Sequence, residues 1–339
     1  MKIYVIPHGL SNQIVASQVI QRGLAVAKAT NDSVRFVCIG KCEDENVLGV
    51  EYFDTYSAFY SSIRSRELIY TRSYLDFIFI FLVSHGKLEI VYDFRGFVAF
   101  ESWLKNRSLV KFLFILFCEF LCYIFASRVY TVSNSFRRTL SRYFFIKRDI
   151  QVLPSLISSE KLFFPKIQVS RVVHFVYVGG LSKWQNLSEV ISVYDYISAQ
   201  IPAKLDIITM EVELAREYIK SAKSKETISV FSVNSLEGEV DLSHYHYGFL
   251  LRDNLLLNRV ASPVKFLEYC GSGVIPIISN WVGDYSRLVV EKDLGYLYTG
   301  DASSLLNDLC NERNLHSKRI KIYNWAKTQT WESQFGLLI

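Results

Sequence analysis

Cysteine, proline and glycine are all sparse, at 6, 6 and 16 in 339 residues. The cysteines make no framework. Cys38 and Cys42 have no second pair or neighbouring histidine to complete a zinc site. Cys118 and Cys122 lie four apart on an apolar stretch and read as core. Nothing suggests a secreted disulfide scaffold. Glycine and proline are few and no low-complexity tract is present; with half the residues hydrophobic, a disordered chain is excluded. No internal repeat at solenoid spacing is present. Helix-turn-helix, zinc and aromatic stacking motifs are missing too, so nucleic acid is not an expected partner. No apolar run reaches the ~20 residues of a bilayer span without charge. The nearest, "LVKFLFILFCEFLCYIFA" (109–126), carries Lys111 and Glu119 and reads as a buried or interfacial helix. With "YLDFIFIFLV" (74–83) it suits a face that lies on a membrane.

What the chain has in quantity is hydrophobic side chains, at 50% of residues, with 24 Phe and 21 Tyr. That is ample for real cores, and the length suits two domains of roughly 150 residues. Charge is uneven. Residues 1–161 hold 20 Lys and Arg against 14 Asp and Glu; the chain totals of 38 and 33 leave 18 against 19 for the rest. A basic first half with exposed aromatics predicts attraction to an anionic membrane surface. "MKIYVIP" reads as a strand and not a signal peptide. The expected location is therefore cytoplasmic, peripheral to the inner face of the plasma membrane.

The first half alternates strand and helix. "KIYVIP", "VRFVCIG", "ELIYTR", "LEIVYDFRG" and "RVYTVS" read as buried strands, with helices at 12–30, 74–84, 103–126 and 134–144. Two prolines in 150–170 interrupt the pattern, and a linker is placed there. The alternation restarts at "VVHFVYV" (172–178) and continues through "KLDIITM", "ISVFSV", "YGFLLRD" (247–253) and "VIPIIS". This order predicts an α/β chain of two Rossmann-like domains in tandem with a cleft between them. The domains are placed at 1–160 and 161–320, with an amphipathic helix at 321–339 crossing back.

Two loops of the second half suit phosphate. In "GGLSKWQN", Gly179 and Gly180 let the backbone leave its strand in a tight turn, with Ser182 and Lys183 beside the next helix start. In "SPVKFLEYCGSG", Ser262 suits an N-cap and Pro263 the first helical position. Lys265 then sits in a first turn, where a cation opposes the helix dipole unless an anion joins it. Glu268, one turn on, suits sugar hydroxyls. With no Asp-x-Asp triad to hold a divalent ion, a nucleotide diphosphate would need these cations and helix ends instead. His244 and His246 alternate on one face but have no evident third metal ligand.

"YVGGLSKWQNLSEVI" and "YGFLLRDNLLLNRVASPVKFLEYCGSGVIPIISNWVGDY" resemble the donor-binding half of bacterial retaining glycosyltransferases of family 4, with the GT-B fold. "EIVYDFRGFVAFE", "SRVYTVSNSFRRTL" and "IQVLPSL" resemble the acceptor half of a subgroup that builds capsule and O-antigen chains. The match runs over most of residues 60–335 and is specific in "P-x-K-x-x-E-Y" and the glycine loop.

The resemblance implies transfer of a sugar, with retention, from a nucleotide-diphosphate sugar to a hydroxyl of a growing, lipid-linked surface glycan such as capsule, O-antigen or lipopolysaccharide. No cofactor or metal is expected. It implies that Lys183 and Lys265 hold the diphosphate and that Glu268 binds the ribose. Val260 stands where the family often has a second glutamate, and Gly179-Gly180 where a Gly-Arg pair is common. Arg252, Asp253 and Asn258 are the nearby replacements. In the first domain Asp93 and Arg95 are expected at the cleft, Asp93 accepting from a hydroxyl, with His8 and Gly9 on the acceptor side. Two other readings stay open: a nucleotide-sugar 2-epimerase of the same fold, and a non-catalytic membrane-associated protein of glycan assembly.

Overall fold

The computed structural model describes residues 2–7, 19–20, 23–24, 33–40, 49–63, 67–166, 171–232 and 240–334. The chain divides into two compact units, one of Met1–Pro154 with Gln334–Ile339 and one of Ser155–Ser333. Each is built on a wholly parallel sheet.

In the first unit, β1 (Lys2–Ile6), β2 (Val34–Ile39), β3 (Val50–Phe53), β4 (Leu68–Thr71), β5 (Glu89–Phe94), β6 (Arg128–Thr131) and β7 (Ile150–Val152) lie in the order β3-β2-β1-β4-β5-β6-β7. In the second, β8 (Val173–Val178), β9 (Ala203–Thr209), β10 (Ile228–Ser232), β11 (Tyr247–Leu250), β12 (Ile275–Ser279) and β13 (Tyr296–Tyr298) lie in the order β10-β9-β8-β11-β12-β13. Helices cover the faces, so the central strands bury side chains on both sides; every residue of β11 and β12 is buried. Two Rossmann-like units are the architecture expected. The strand order reverses between β1 and β4 and again between β8 and β11. In open α/β sheets the crevice at such a reversal, at the carboxyl ends of the strands, is where ligands bind.

One long helix over 103–126 was expected; two are found. Val98–Asn106 ends where Arg107 takes a left-handed conformation (φ 52°), and the Ser108 hydroxyl caps Leu109–Phe125 by accepting from Lys111 N. The second helix buries Ile115, Cys118, Glu119, Cys122 and Tyr123, spaced as one stripe, and exposes Leu109, Val110, Leu113, Phe114 and Phe117. No helix among the described residues is long and apolar enough to cross a membrane. Arg148 is half-buried. Its guanidinium donates to the carbonyls of Tyr123, Ile124 and Ala126 and so closes the C-terminus of this helix.

Glu119 explains how a carboxylate sits inside an apolar helix. Phe97, the N-cap of Val98–Asn106, has no side chain to cap with. The Glu119 carboxylate does it instead, accepting from Val98 N at 2.8 Å and Ala99 N at 3.3 Å. Burial outweighs these two bonds and pushes its pKa up from 4.5 to about 7. The folded chain thus keeps this proton to higher pH than the unfolded chain. The resulting stabilisation is fully present below about pH 4.5 and lost as pH rises through about 7, a change of roughly 3 kcal/mol. The melting temperature of the first unit should accordingly fall between about pH 5 and 8. Glu119→Gln should flatten that slope in a circular-dichroism pH series, and an unaltered slope would remove Glu119 as its source.

In the second unit, the Tyr269 hydroxyl accepts from Val178 N (2.9 Å) and donates to the Phe249 carbonyl (3.2 Å), tying the end of β8 to β11. Its ring lies so close to β11 that a Cβ on Gly248 would come within 2.8 Å of it. That glycine is required by the approach.

Candidate functional site

The strand reversal of the second sheet brings together the loops that follow β8 and β11. The first is the glycine turn. Gly179 N donates to Ile208 O of β9 (3.1 Å), and the Tyr177 hydroxyl donates to Gly180 O (2.6 Å). The Gln185 side chain folds back over the turn. A Cβ at Gly179 would stand 3.0 Å from Gln185 Oε1, and one at Gly180 3.3 Å from Gln185 Nε2 and from Glu211 Oε2. Ser182 and Lys183 open a short 3-10 helix, Lys183–Gln185, and Asn186 turns left-handed (φ 52°) into the helix Leu187–Ser198. Lys183 is exposed and pairs with no carboxylate among the described residues.

The second loop is stapled to the first. Asn186 Nδ2 donates to Asp253 Oδ1 (2.6 Å), and Asn258 Nδ2 donates to the carbonyls of Trp184 (3.1 Å) and Asp253 (2.9 Å). The Ser279 hydroxyl at the end of β12 accepts from Arg252 N (2.9 Å) and donates to Arg252 O (2.8 Å), fixing the backbone from which the guanidinium projects. That guanidinium is half-buried near the Tyr177 and Tyr269 hydroxyls. Among the described residues no carboxylate pairs with it. Burial pulls its pKa below the usual guanidinium value, and the two tyrosines oppose the shift. A cation withdrawn from water without a counter-charge favours an incoming anion.

The third part is the helix Val264–Gly271. Ser262 does not cap it as expected: its hydroxyl meets Tyr285 OH at 3.2 Å, and Pro263 takes the N-cap position. Lys265 and Glu268 pair with each other, Nζ to Oε2 at 2.7 Å, and Lys161 approaches the other oxygen at 3.8 Å. Burial raises the Glu268 pKa, but the two lysines win and hold it below the usual carboxylate value. Gly283 locks the preceding turn. Its φ of 51° favours glycine, its N–H reaches Asn258 O (3.1 Å), and a Cβ there would lie 2.0 Å from Ala261 O.

Of the residues singled out from sequence, Gly179, Gly180, Ser182, Lys183, Arg252, Asn258, Ser262, Lys265 and Glu268 thus fall on these three parts of one unit. One of them, Asn258, has other work than expected. Asn258 is 3% exposed, with its amide donating within the loops, so it positions the site; Val260, at 1%, is core. Asp93, expected to face an acceptor hydroxyl, is 0% exposed near the end of β5, a strand buried along almost its whole length. Arg95 follows it, half-buried. His8 and Gly9 lie outside the described residues. Among the described residues no group of three or more His, Cys, Asp or Glu side chains that could hold a metal ion gathers around His244 and His246. His246 Nδ1 accepts from His174 N (2.9 Å), and burial, with Arg319 and His174 nearby, lowers its pKa to about 4. Sequence reasoning missed Tyr177, Gln185, Lys161 and Glu211. Tyr177 and Gln185 lay inside the quoted glycine motif, but only the fold shows their side chains closing it.

No family model matches the chain, and no curated protein matches it. Its fold is similar to that of several solved structures. Anabaena HepE in complex with UDP has a TM-score of 0.73 at 13% identity, with 99% of this chain and 97% of that one covered. WaaG, a glycosyltransferase involved in lipopolysaccharide biosynthesis, has a TM-score of 0.69 at 12% identity, with 100% and 99% covered. The pneumococcal O-GlcNAc transferase GtfA, in complex with UDP and GlcNAc, has a TM-score of 0.70 at 11% identity, with 99% and 97% covered. At these identities the likeness is one of fold.

Proposed function

We propose that the chain is a glycosyltransferase that moves a sugar from a nucleotide-diphosphate sugar to a hydroxyl of a lipid-linked surface glycan. The observation that carries this reading is the Arg252 guanidinium, half-buried and without a carboxylate partner among the described residues, at the strand reversal beside the glycine turn. Lys183 and Lys265 add two further cations. Their task is to stabilise charge building on the leaving diphosphate, the role a metal plays elsewhere. Glu268, released from its lysines, is placed one helical turn from Lys265 for the ribose hydroxyls. The solved structures of similar fold include glycosyltransferases and complexes with UDP, which supports the donor class. Retention of configuration follows from the motif resemblance, as does the glycan acceptor.

Incubation with a panel of nucleotide sugars tests this. Slow hydrolysis without acceptor, strongly raised by a glycan acceptor and insensitive to EDTA, is the expected result. Sugar epimerisation without acceptor would favour the 2-epimerase, and binding of no nucleotide sugar would favour the non-catalytic protein.

The same reading places the first unit on an anionic membrane. In support, Leu109, Val110, Leu113, Phe114 and Phe117 are exposed on one helix, Leu82 on another and Phe145, 92% exposed, nearby in sequence to the basic Arg142 and Lys147. Each basic side chain near such a surface contributes about 1 kcal/mol at low salt. Sedimentation with anionic vesicles should show binding that weakens, but persists, as salt rises. Replacing Phe114 and Phe117 by serine should abolish the salt-resistant part. Absence of binding at either salt would remove the membrane from the account.

A further inference from the structure

We propose that Glu211 gates the donor site: its carboxylate occupies the glycine turn and must leave before a nucleoside diphosphate can bind there. The inference rests on the donor reading above and adds a regulatory residue to it. Glu211 follows β9, the strand beside β8, with Val178 in register with Ile208. Its own N–H donates to Thr209 Oγ1 (3.1 Å), which sets the start of the loop. From there the side chain crosses to the neighbouring loop, and Oε2 accepts from Leu181 N at 2.6 Å. The same oxygen lies 3.3 Å from where a Gly180 Cβ would be.

Two features separate this contact from ordinary loop packing. Glu211 precedes the helix Val212–Ile219, yet its side chain caps nothing there. The residue is exposed, so the fold does not need it for burial. Among the described residues its carboxylate's one hydrogen bond is to an amide of the turn that a phosphate would use, and the carboxylate brings a negative charge to that place. It therefore acts as a resident anion. A diphosphate meets both an occupied donor and a like charge, and each lowers its affinity.

Calorimetric titration of the wild type, Glu211→Ala and Glu211→Gln with UDP, GDP, ADP and uridine tests the gate. The alanine variant should bind the preferred diphosphate about tenfold more tightly or better, with glutamine intermediate because its neutral oxygen still accepts from Leu181 N. Affinity for uridine, which carries no phosphate, should not change. An unchanged or weaker diphosphate affinity in a folded alanine variant would overturn the gate while leaving the donor site standing, as would an equal gain for uridine. Binding of no diphosphate by either wild type or variant would remove the donor site and the gate together.

Discussion

Arg252→Met lowers kcat/KM for the sugar donor by about 100-fold or more, and leaves thermal stability unchanged or slightly raised. The two halves of this expectation come from one arrangement. A charge-assisted hydrogen bond to a diphosphate oxygen is worth roughly 1.5–3 kcal/mol, and the guanidinium fork can make two. With tenfold per 1.4 kcal/mol, their joint loss reaches two orders of magnitude even if the bonds are far from additive. Without ligand, however, the half-buried guanidinium has no carboxylate partner among the described residues, and burial already pulls its pKa down. Methionine fills a similar volume without that desolvation. Arg252→Lys should recover little, because an ammonium cannot reproduce the fork. Steady-state kinetics beside a melting curve checks the pair of outcomes. Full activity with a lower melting temperature would make Arg252 a structural residue.

Arg319→Ala has the opposite signature: the second unit unfolds at much lower temperature, and any activity loss follows from that. Arg319 is 2% exposed on the helix Leu315–Lys327. Its guanidinium donates to the carbonyls of Gly273 (2.9 Å), Lys166 (2.8 Å) and Ser243, three separate segments of the unit. Burial lowers its pKa to about 10. Deletion leaves buried acceptors unsatisfied, at roughly 1–3 kcal/mol each, and opens a cavity. A total near 4 kcal/mol lowers the melting temperature by about 8–16 °C for a unit of this size. Arg319→Lys should rescue only part, since one ammonium cannot reach three carbonyls in the directions the fork serves. A shift of only a degree or two in the alanine variant would show that the three segments are held by other contacts.

The long elements were legible in the sequence because burial on both faces of a parallel sheet leaves continuous apolar runs such as "VHFVYV" and "IPIIS". The strands missed were β3, β7 and β13, with four, three and three residues, all at sheet edges. One face of an edge strand needs little apolar character, so its run is too short to stand out. The break at Arg107 was hidden for another reason: nothing in an arginine codes for a left-handed turn, and the Ser108 cap was read as one polar residue in a long helix. In the candidate site, the position of the cations and glycines relative to strand ends was legible. What the sequence could not show was which side chains turn inward. Asp93 sits at a strand end like a ligand-facing carboxylate yet is fully buried, and Asn258 braces two loops. Conversely, Glu211 lies 30 residues from Leu181 in sequence. Only the adjacency of β8 and β9 brings them together.

Amide hydrogen exchange with and without a saturating nucleoside diphosphate is the most direct measurement of whether the second unit holds a donor at its strand reversal. Slowed exchange confined to residues 179–186 after β8 and to the 252–266 stretch around Arg252 and Lys265, with the first unit's core strands unaffected, is the predicted result. Binding at saturation without protection in either stretch, or no binding by UDP, GDP or ADP at all, would contradict it.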